Sequence, residues 1–412
     1  MDRLLGYVAD NADPRLGGGD SFTDQLNARY TVTVLTVFII MVTAKYYINE
    51  PISCWCPAHF TASHCDFANK VCWTSSTYYL PYSQEKIPLE GDDRQFISYY
   101  QWVAFILTCQ ALLFCLPRII WSILNKKSGI AVSTITDAAI QCQKSSDTQS
   151  KEKTLRYMTK HMGRFLLELN RYHLMASQLK KFWLFFYGNY LVILYMGIKM
   201  LYIANALGQL FLLNSFLNTD YHFYGLEVLG RMIQSENWTT SDRFPRVTLC
   251  DFKVRLLGNI HRYTVQCALP MNLFNEIIFI FLWFWFIFVI TATCISLLSW
   301  SVTSIFLRFH MTFMKKRLVA MEKIKHRACS KKIYKFVTKY LRRDGCFIIR
   351  QVAGNASDVI AAELICGLWD HFLEHEKAID QLFDDSTQLN LVQFHLDAVD
   401  NEEDEDENEK CI

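Results

Sequence analysis

Four long apolar runs constrain the fold of this chain more than any other feature of its sequence. The clearest of them extends from Tyr99 to Leu124 and is followed by Lys126 and Lys127. About 20 apolar residues, each rising about 1.5 Å along a helix, cross the roughly 30 Å hydrocarbon core of a bilayer. Tyrosine and tryptophan favour the membrane interface, and lysine favours its cytoplasmic side. We therefore expect a helix that enters the membrane from outside at Tyr99 and ends inside at Lys126.

Three other runs, at residues 30–48, 182–217 and 276–302, have the same character. Apolar residues make up 51% of the chain and cluster in these runs, which favours a membrane protein over several soluble domains. For the first run a cleaved signal peptide is an alternative, because Val42-Thr43-Ala44 resembles a cleavage site. The run continues past Ala44 into Tyr46 and Tyr47, which favours a membrane span.

The basic residues between the runs predict the orientation of the chain. The connections after the first and third runs carry three and six Lys or Arg residues, whereas the connection after the second run carries eleven and the carboxyl-terminal region sixteen. Cytoplasmic segments are enriched in Lys and Arg. We therefore expect both termini in the cytoplasm of a cell whose plasma membrane the chain crosses four times.

Six cysteines fall in the two connections predicted to lie outside: Cys54, Cys56, Cys65, Cys72, Cys250 and Cys267. Thiols oxidise in that compartment, so we expect disulfides. A zinc site formed by Cys54, Cys56 and Cys65 with His59 and His64 is the alternative. It is disfavoured because structural zinc cysteines usually lie in reducing compartments and at a wider spacing than Cys54-Trp55-Cys56. We expect no cofactor.

The second outer connection also contains a hairpin signal. Residues 246–250 and 261–267 have strand-like composition, and Gly258-Asn259 supplies a turn between them. Asn237-Trp238-Thr239 is a glycosylation sequon in the same connection.

The sequence therefore predicts an all-α membrane protein: a bundle of four transmembrane helices, disulfide-braced extracellular loops that contain a small β-hairpin, and a helical cytoplasmic dome. The predicted segments are an amino-terminal segment (1–29), the first span (30–48), extracellular loop 1 (49–98), the second span (99–124), a cytoplasmic loop (125–181), the third span (182–217), extracellular loop 2 (218–275), the fourth span (276–302), a cytoplasmic helical tail (303–383) and an acidic disordered tail (384–412).

Lys199 is the one charge in the middle of a predicted span. Such a residue either faces a bundle interior or water, or lies at interfacial depth on a long tilted helix, and the sequence leaves both possibilities open. The basic stretch from Arg308 to Arg350 indicates a surface near anionic membrane lipids, and nucleic-acid binding is not expected. No arrangement of catalytic residues is recognisable, so an enzyme is not expected.

Several stretches together resemble the innexins, the gap-junction channel proteins of invertebrates. The most specific is the motif of Tyr99, Tyr100, Gln101, Trp102 and Val103 at the start of the second span. Supporting stretches lie at residues 51–55, 77–81, 244–252 and 281–285, and the resemblance covers roughly Asp24 to Trp369.

The resemblance implies a large-pore channel that passes ions and small metabolites between adjacent cells. Its subunits would form a homo- or hetero-oligomeric ring of eight by family analogy, and rings of two cells would dock through their outer loops. It also implies two disulfides between the loops, Cys54–Cys267 and Cys72–Cys250. Two cysteines, Cys56 and Cys65, depart from the family pattern, and we predict a local bridge between them.

The resemblance further implies that the amino-terminal segment, here Met1 to about Ala12, folds into the pore and lines its narrowest part. From that position, Asp2, Arg3 and Asp10 are the candidate lining charges, with Met1 and Leu5 beside them. A glycan on Asn237 would hinder docking and favour an unpaired hemichannel. The alternative from another class is a four-span adhesion or scaffold protein without a pore.

Overall fold

The computed structural model describes residues 21–48, 51–81, 94–175, 188–217, 224–233, 243–324 and 330–390. In chain order the described helices are α1 (Phe22–Gln25), α2 (Thr31–Ile48), α3 (Ala62–Thr74), α4 (Val103–Lys126), α5 (Val132–Lys144), α6 (Thr148–Met175), α7 (Tyr190–Leu217), α8 (Tyr224–Ile233), α9 (Met271–Ile305), α10 (Leu307–Ala320), α11 (Ser330–Lys335), α12 (Arg342–Asn355) and α13 (Asp358–Asn390). The described strands are β1 (Ser53–Trp55), β2 (Thr77–Tyr79), β3 (Gln95–Ile97), β4 (Val247–Leu256) and β5 (Asn259–Ala268). Turns of π-helix at Leu26–Tyr30 and Phe336–Leu341 join α1 to α2 and α11 to α12.

Four of the described helices are long and apolar enough to cross a membrane: Phe22–Tyr46, Val103–Lys126, Tyr190–Leu217 and Met271–Ile305. The predicted architecture of four candidate spans with a small sheet and further helices is confirmed. The helix ends differ from the predicted ones. The first helix begins eight residues earlier than the predicted residue 30, and α9 extends beyond residues 276–302 at both ends. The start of the third predicted span lies partly outside the described residues.

The chain divides into two compact units, and the divisions fall within the four long helices. We call them the sheet unit (Leu26–Pro117 and Leu201–Cys294) and the helical unit (Met1–Gln25, Arg118–Met200 and Ile295–Ile412).

The sheet unit is built on five antiparallel strands in the order β1-β5-β4-β2-β3. Strands β4 and β5 pair from Val247 with Ala268 to Leu256 with Asn259, which leaves Leu257 and Gly258 as the turn. Both turn residues have positive φ, 48° and 87°. A hairpin turn of two residues with positive φ matches the right-handed twist of the strands. The predicted turn at Gly258-Asn259 was therefore one residue too late, because Gly258 occupies the second turn position rather than the first.

The helical unit is held by packing between α6 and α13, between α12 and α13, and between α5 and α6. One aromatic cluster in its core brings Phe336 and Tyr340 against Trp369 and Phe372, with ring centroids 5.1 to 5.7 Å apart. These side chains are almost completely buried. Aromatic contacts of this kind add to the free energy of apolar burial.

Asp344 of α12 ties this core to the amino-terminal end of α7. Its carboxylate Oδ1 accepts a hydrogen bond from the backbone N–H of Val192 at 3.3 Å, and its own N–H donates to the carbonyl of Gly188 at 3.1 Å. The first N–H groups of a helix lack partners within the helix, so a carboxylate here acts as a cap supplied by another segment. Burial raises the pKa of Asp344 to about 7, although the backbone donors of α7 and Arg342 oppose that shift.

The pKa of Asp344 predicts a pH dependence of stability. Because the pKa in the folded state lies above the ordinary value, folding takes up a proton, and the stabilising contribution of this group is lost as the pH rises toward 7. Asn at this position does not titrate. We expect the midpoint of thermal unfolding of the wild type to fall relative to that of Asp344→Asn as the pH is raised from about 5 to about 8.

Comparing the wild type with Asp344→Asn cancels the contributions of the other titrating groups to the pH dependence. One of these groups is buried His310, because burial lowers its pKa to about 4. A matched control is Asp358→Asn, which alters an exposed carboxylate at the start of α13 that pairs with Arg317. Thermal unfolding of the detergent-solubilised protein is the measurement. Parallel curves for the wild type and Asp344→Asn across this pH range would contradict the prediction.

Candidate functional site

Three disulfides lie in the sheet unit. Cys54 is bonded to Cys267, Cys72 to Cys250, and Cys56 to Cys65, across sequence separations of 213, 178 and 9 residues. The first two join the two cysteine-containing connections in the pairing that the resemblance implies. The third is the local bridge within the first connection.

The sheet places the two long bridges side by side. Strand β1 pairs with β5 so that Cys54 lies directly opposite Cys267, while Cys250 lies on β4 and Cys72 in the last turns of α3. The sulfurs of Cys54, Cys72 and Cys267 all lie within 4.8 Å of one another. Because Cys72, Cys250 and Cys267 are fully buried, the two bridges form part of the core of the sheet unit.

The structure gives each residue of the alternative zinc site another role. Its three cysteines are oxidised in disulfides and therefore present no thiolate. His64 caps α3, because its backbone N–H donates to the Thr61 hydroxyl at 3.4 Å and its Nδ1 accepts from the Thr61 N–H at 3.3 Å. His59 packs edge-on against Phe60, with ring centroids 4.9 Å apart. The zinc interpretation is not supported.

The Tyr99–Val103 motif lies at the start of α4 and contacts the end of α3 through hydrogen bonds. Tyr99–Gln101 form a turn of 3₁₀-helix rather than the α-helix predicted from residue 99, and α4 begins at Val103. The Gln101 side-chain amide donates to the carbonyl of Trp73, and the Tyr100 hydroxyl donates to that of Ser75 at 3.4 Å. Both carbonyls lie within three residues of Cys72, so the motif links the disulfide-bonded part of the sheet unit to the long apolar helix α4.

The remaining positions of the motif differ in exposure. The Tyr99 hydroxyl donates to the Arg243 carbonyl at 3.2 Å, and its ring packs edge-on against Phe244. Val103 is fully buried, whereas 55% of Trp102 is exposed. An exposed tryptophan at the end of an apolar helix is typical of a membrane interface.

Asp251 on β4 organises a polar cluster on the sheet. Its Oδ2 accepts from Arg94 at 2.9 Å and from Arg262, and its Oδ1 accepts from Thr264 at 2.7 Å and Tyr78 at 3.2 Å. Burial alone would raise the pKa of Asp251, but the donors from Thr264, Arg262 and Arg94 outweigh it and lower the pKa. The carboxylate therefore stays ionised and links β2, β4 and β5.

Sequence analysis did not single out Asp251. An acidic residue inside a strand-like run, with Arg262 in the paired strand, was the available signal. The partner Arg94 lies 157 residues away and could not be assigned without the fold.

Several large apolar side chains of the sheet unit are exposed. Leu257 at the hairpin turn is fully exposed, and Ile260 next to it is 61% exposed. Trp55 on β1 is 81% exposed. Contiguous exposed apolar residues are typical of interaction surfaces, and Leu257 and Ile260 together give the hairpin tip an apolar surface. The predicted pore-lining residues Met1, Asp2, Arg3, Leu5 and Asp10, and the sequon at Asn237, lie outside the described residues.

Comparison with known proteins gives one consistent result. The family model described as Innexin matches residues 20–372. Innexin unc-9 of Caenorhabditis elegans is 39% identical over 385 residues, which covers 92% of this chain and 98% of that protein. Innexin-11 of the same organism is 32% identical, covering 88% of this chain and 80% of that protein. Innexin eat-5 is 30% identical, covering 93% and 94%.

The disulfides predict a graded loss of stability. With Cys54–Cys267 intact, the Cys72–Cys250 bridge closes a ring of about 35 residues, whereas Cys56–Cys65 closes a much shorter loop. A bridge typically adds about 2–4 kcal/mol to the free energy of unfolding, and more for longer loops. We expect the pair Cys72→Ser and Cys250→Ser to destabilise the protein more than the pair Cys56→Ser and Cys65→Ser.

Thermal unfolding of both double variants in detergent is the measurement, and changing cysteines in pairs avoids an odd reactive thiol. An equal or reversed order of the two midpoints would contradict the prediction. Mass mapping of non-reduced peptides tests the local bridge directly, since free thiols at Cys56 and Cys65 would exclude it.

Proposed function

The chain belongs to the innexin family of gap-junction channel proteins, and from that premise we propose that it forms a ring of eight innexin subunits in the plasma membrane, either identical or mixed. Two such rings, one in each of two adjacent cells, would dock to make a continuous pore for ions and small metabolites. Family membership argues against the adhesion or scaffold alternative, and the innexin family is a channel family rather than an enzyme family.

The proposed orientation follows from charge. Most Lys and Arg residues outside the apolar helices belong to the connection after the second span and to the carboxyl-terminal region, and such residues favour the cytoplasmic side. Both termini and the helical unit's α5, α6 and α10–α13 would then lie inside. The disulfides would lie outside, where thiols oxidise.

The role that we propose for the disulfide-bonded sheet of the sheet unit is docking between rings. The observation that carries it is the pair of adjacent disulfides that tie the two connections into one layer. A surface whose segments are fixed beforehand loses little conformational entropy when it binds. The exposed side chains of Leu257, Ile260 and Trp55 supply apolar area for such a contact.

Passage through the pore would depend on its width and on the charges along it, not on tight binding. We assign the narrowest part to the amino-terminal segment, with Asp2, Arg3 and Asp10 as the lining charges and Met1 and Leu5 beside them. A glycan on Asn237 would stand between facing rings and favour hemichannels that open to the outside.

Paired cells that express the chain test the channel and its docking together. We expect transfer of a small dye and junctional conductance between expressing cells. Leu257→Asp should lower intercellular transfer several-fold, because it places a charge in the proposed contact, while dye uptake by unpaired cells stays unchanged. The matched control is Val359→Asp, because Val359 is also an exposed apolar residue but lies on α13 in the helical unit.

Surface labelling must show equal amounts of all variants. Absence of transfer and of uptake from wild-type cells with the protein at their surface would contradict the channel function. Equal losses of transfer and uptake in Leu257→Asp would contradict the docking role but not the channel function. Higher transfer for Asn237→Gln than for the wild type would identify the glycan as the obstacle to docking.

The pore segment predicts charge selectivity. Asp2→Asn should reduce the preference for cationic over anionic dyes of matched size, and Arg3→Gln should shift it the opposite way, because each removes one charge per subunit from the proposed constriction. Dye transfer ratios and single-channel conductance are the measurements. If both variants match the wild type, the lining assignment is wrong.

A further inference from the structure

Lys199 of α7 holds the start of the first helix through a network of polar contacts in the helical unit. Its Nζ lies 2.7 Å from Asp24 Oδ1, 2.8 Å from Ser21 Oγ and 2.5 Å from Thr23 Oγ1. A fourth contact, at 3.1 Å, reaches Ser296 Oγ. Lys199 is completely buried and Asp24 nearly so, and Lys199 therefore faces the protein interior, the first of the two possibilities left open by the sequence.

Asp24 uses its second oxygen to fix the helix end. Its Oδ2 accepts from the backbone N–H of Ser21 at 3.1 Å and from the Ser21 hydroxyl at 2.8 Å. The same oxygen accepts from the Tyr195 hydroxyl of α7 at 2.8 Å. One carboxylate thus closes the first turn of α1 on itself and joins it to two residues of α7, one turn apart.

Tyr195 extends this connection into α12. Its ring packs against Phe347, with centroids 5.1 Å apart, and against Trp300 and Trp121 at 5.2 and 5.5 Å. Three aromatic rings therefore hold the tyrosine whose hydroxyl binds Asp24. The position of Ser21 depends on α7 and on the packing of α12, not on α1 alone.

A buried ion pair is a poor means of gaining stability. Removing two charges from water costs free energy that their attraction rarely exceeds, and apolar residues of similar size are often at least as stable. Charges buried in membrane segments commonly serve function. The contacts of Lys199 converge on Ser21, Thr23 and Asp24, which lie about ten residues after the proposed pore lining at residues 1–12.

We infer that Lys199 and Asp24 are positioning residues for the pore segment: the ion pair fixes the helix end to which that segment is attached in the chain. This inference rests on the proposed function, since it assigns residues 1–12 to the pore lining. It adds that α7 and the aromatic packing around Tyr195 set where that lining stands.

The test uses the full-length chain in paired cells. The double variant Asp24→Leu with Lys199→Met removes both charges together, so neither remains buried alone. We expect normal amounts at the cell surface but altered conductance and altered selectivity between cationic and anionic dyes. The single variant Lys199→Arg keeps the charge, and its conductance and dye selectivity should lie closer to those of the wild type than the double variant's do. Lys45→Met is the matched control, because Lys45 lies near the other end of the first helix, over the Phe274 ring.

A double-mutant cycle separates positioning from general damage. Asp2→Asn should change the dye ratio in the wild-type background by about threefold more than in the background that lacks the ion pair, at the low end of the coupling between interacting residues. If the variant without the ion pair conducts and selects like the wild type, and Asp2→Asn acts equally in both backgrounds, the inference is wrong.

Two other outcomes also decide the matter. If the double variant does not reach the surface, Ser21→Ala with Thr23→Val replaces it, since this pair weakens the contacts of Lys199 and leaves Asp24 in place. Its control is Thr303→Val, because the Thr303 hydroxyl donates within its own helix, to the Ser299 carbonyl at 3.0 Å and the Trp300 carbonyl at 3.1 Å. If Asp2→Asn has no effect in the wild type, the lining assignment fails. The conductance of the variant without the ion pair then judges its role, and unchanged conductance would overturn it.

Discussion

The two adjacent disulfides between the cysteine-containing connections are the constraint on which the sheet unit depends. The connections approach each other where β1 pairs with β5 and where β2 pairs with β4, and the bridges reach β5 at Cys267 and β4 at Cys250. Short strands such as β1 and β2, with three residues each, have little stability of their own. Covalent links across them restrict the unfolded chain and keep the pairing in register. The Tyr99–Val103 motif then passes this fixed geometry to α4 through Trp73 and Ser75, which lie just beyond Cys72.

Local patterns predicted the elements well and long-range contacts poorly. Apolar length alone located the four long helices, because a bilayer demands both length and composition. Strand composition located the hairpin but shifted its turn by one residue, since Leu257 adopts a conformation that usually favours Gly or Asn. Helix α3 was not predicted, because Ala62–Thr74 lacks a strong apolar face and its cysteines suggested a loop.

The contacts of Lys199 and Asp344 show why the rest could not be predicted. Each buried ionisable group is paired with a segment that is more than 140 residues away in the chain, Asp24 in one case and the start of α7 in the other. The sequence marked Lys199 as unusual but contained no signal that named its partner. Asp344 drew no notice, because an acidic residue in a basic region normally indicates a solvated surface. Both groups lie in the helical unit. Lys199 belongs to α7 and Asp344 caps the amino-terminal end of α7, so this one helix takes part in both sets of polar contacts.

The hairpin turn has a consequence for how partner choice can evolve. Leu257 holds a left-handed backbone conformation, which a leucine adopts only at a free-energy cost of about 1–2 kcal/mol, and its side chain meets open space. Asparagine or glycine would suit the same backbone better, so the fold gains nothing from this leucine. Residue changes there alter what the turn touches without disturbing the strands beneath it. If the hairpin has the proposed docking role, its tip is therefore a position where recognition between subunits of neighbouring cells can diversify while the scaffold stays constant.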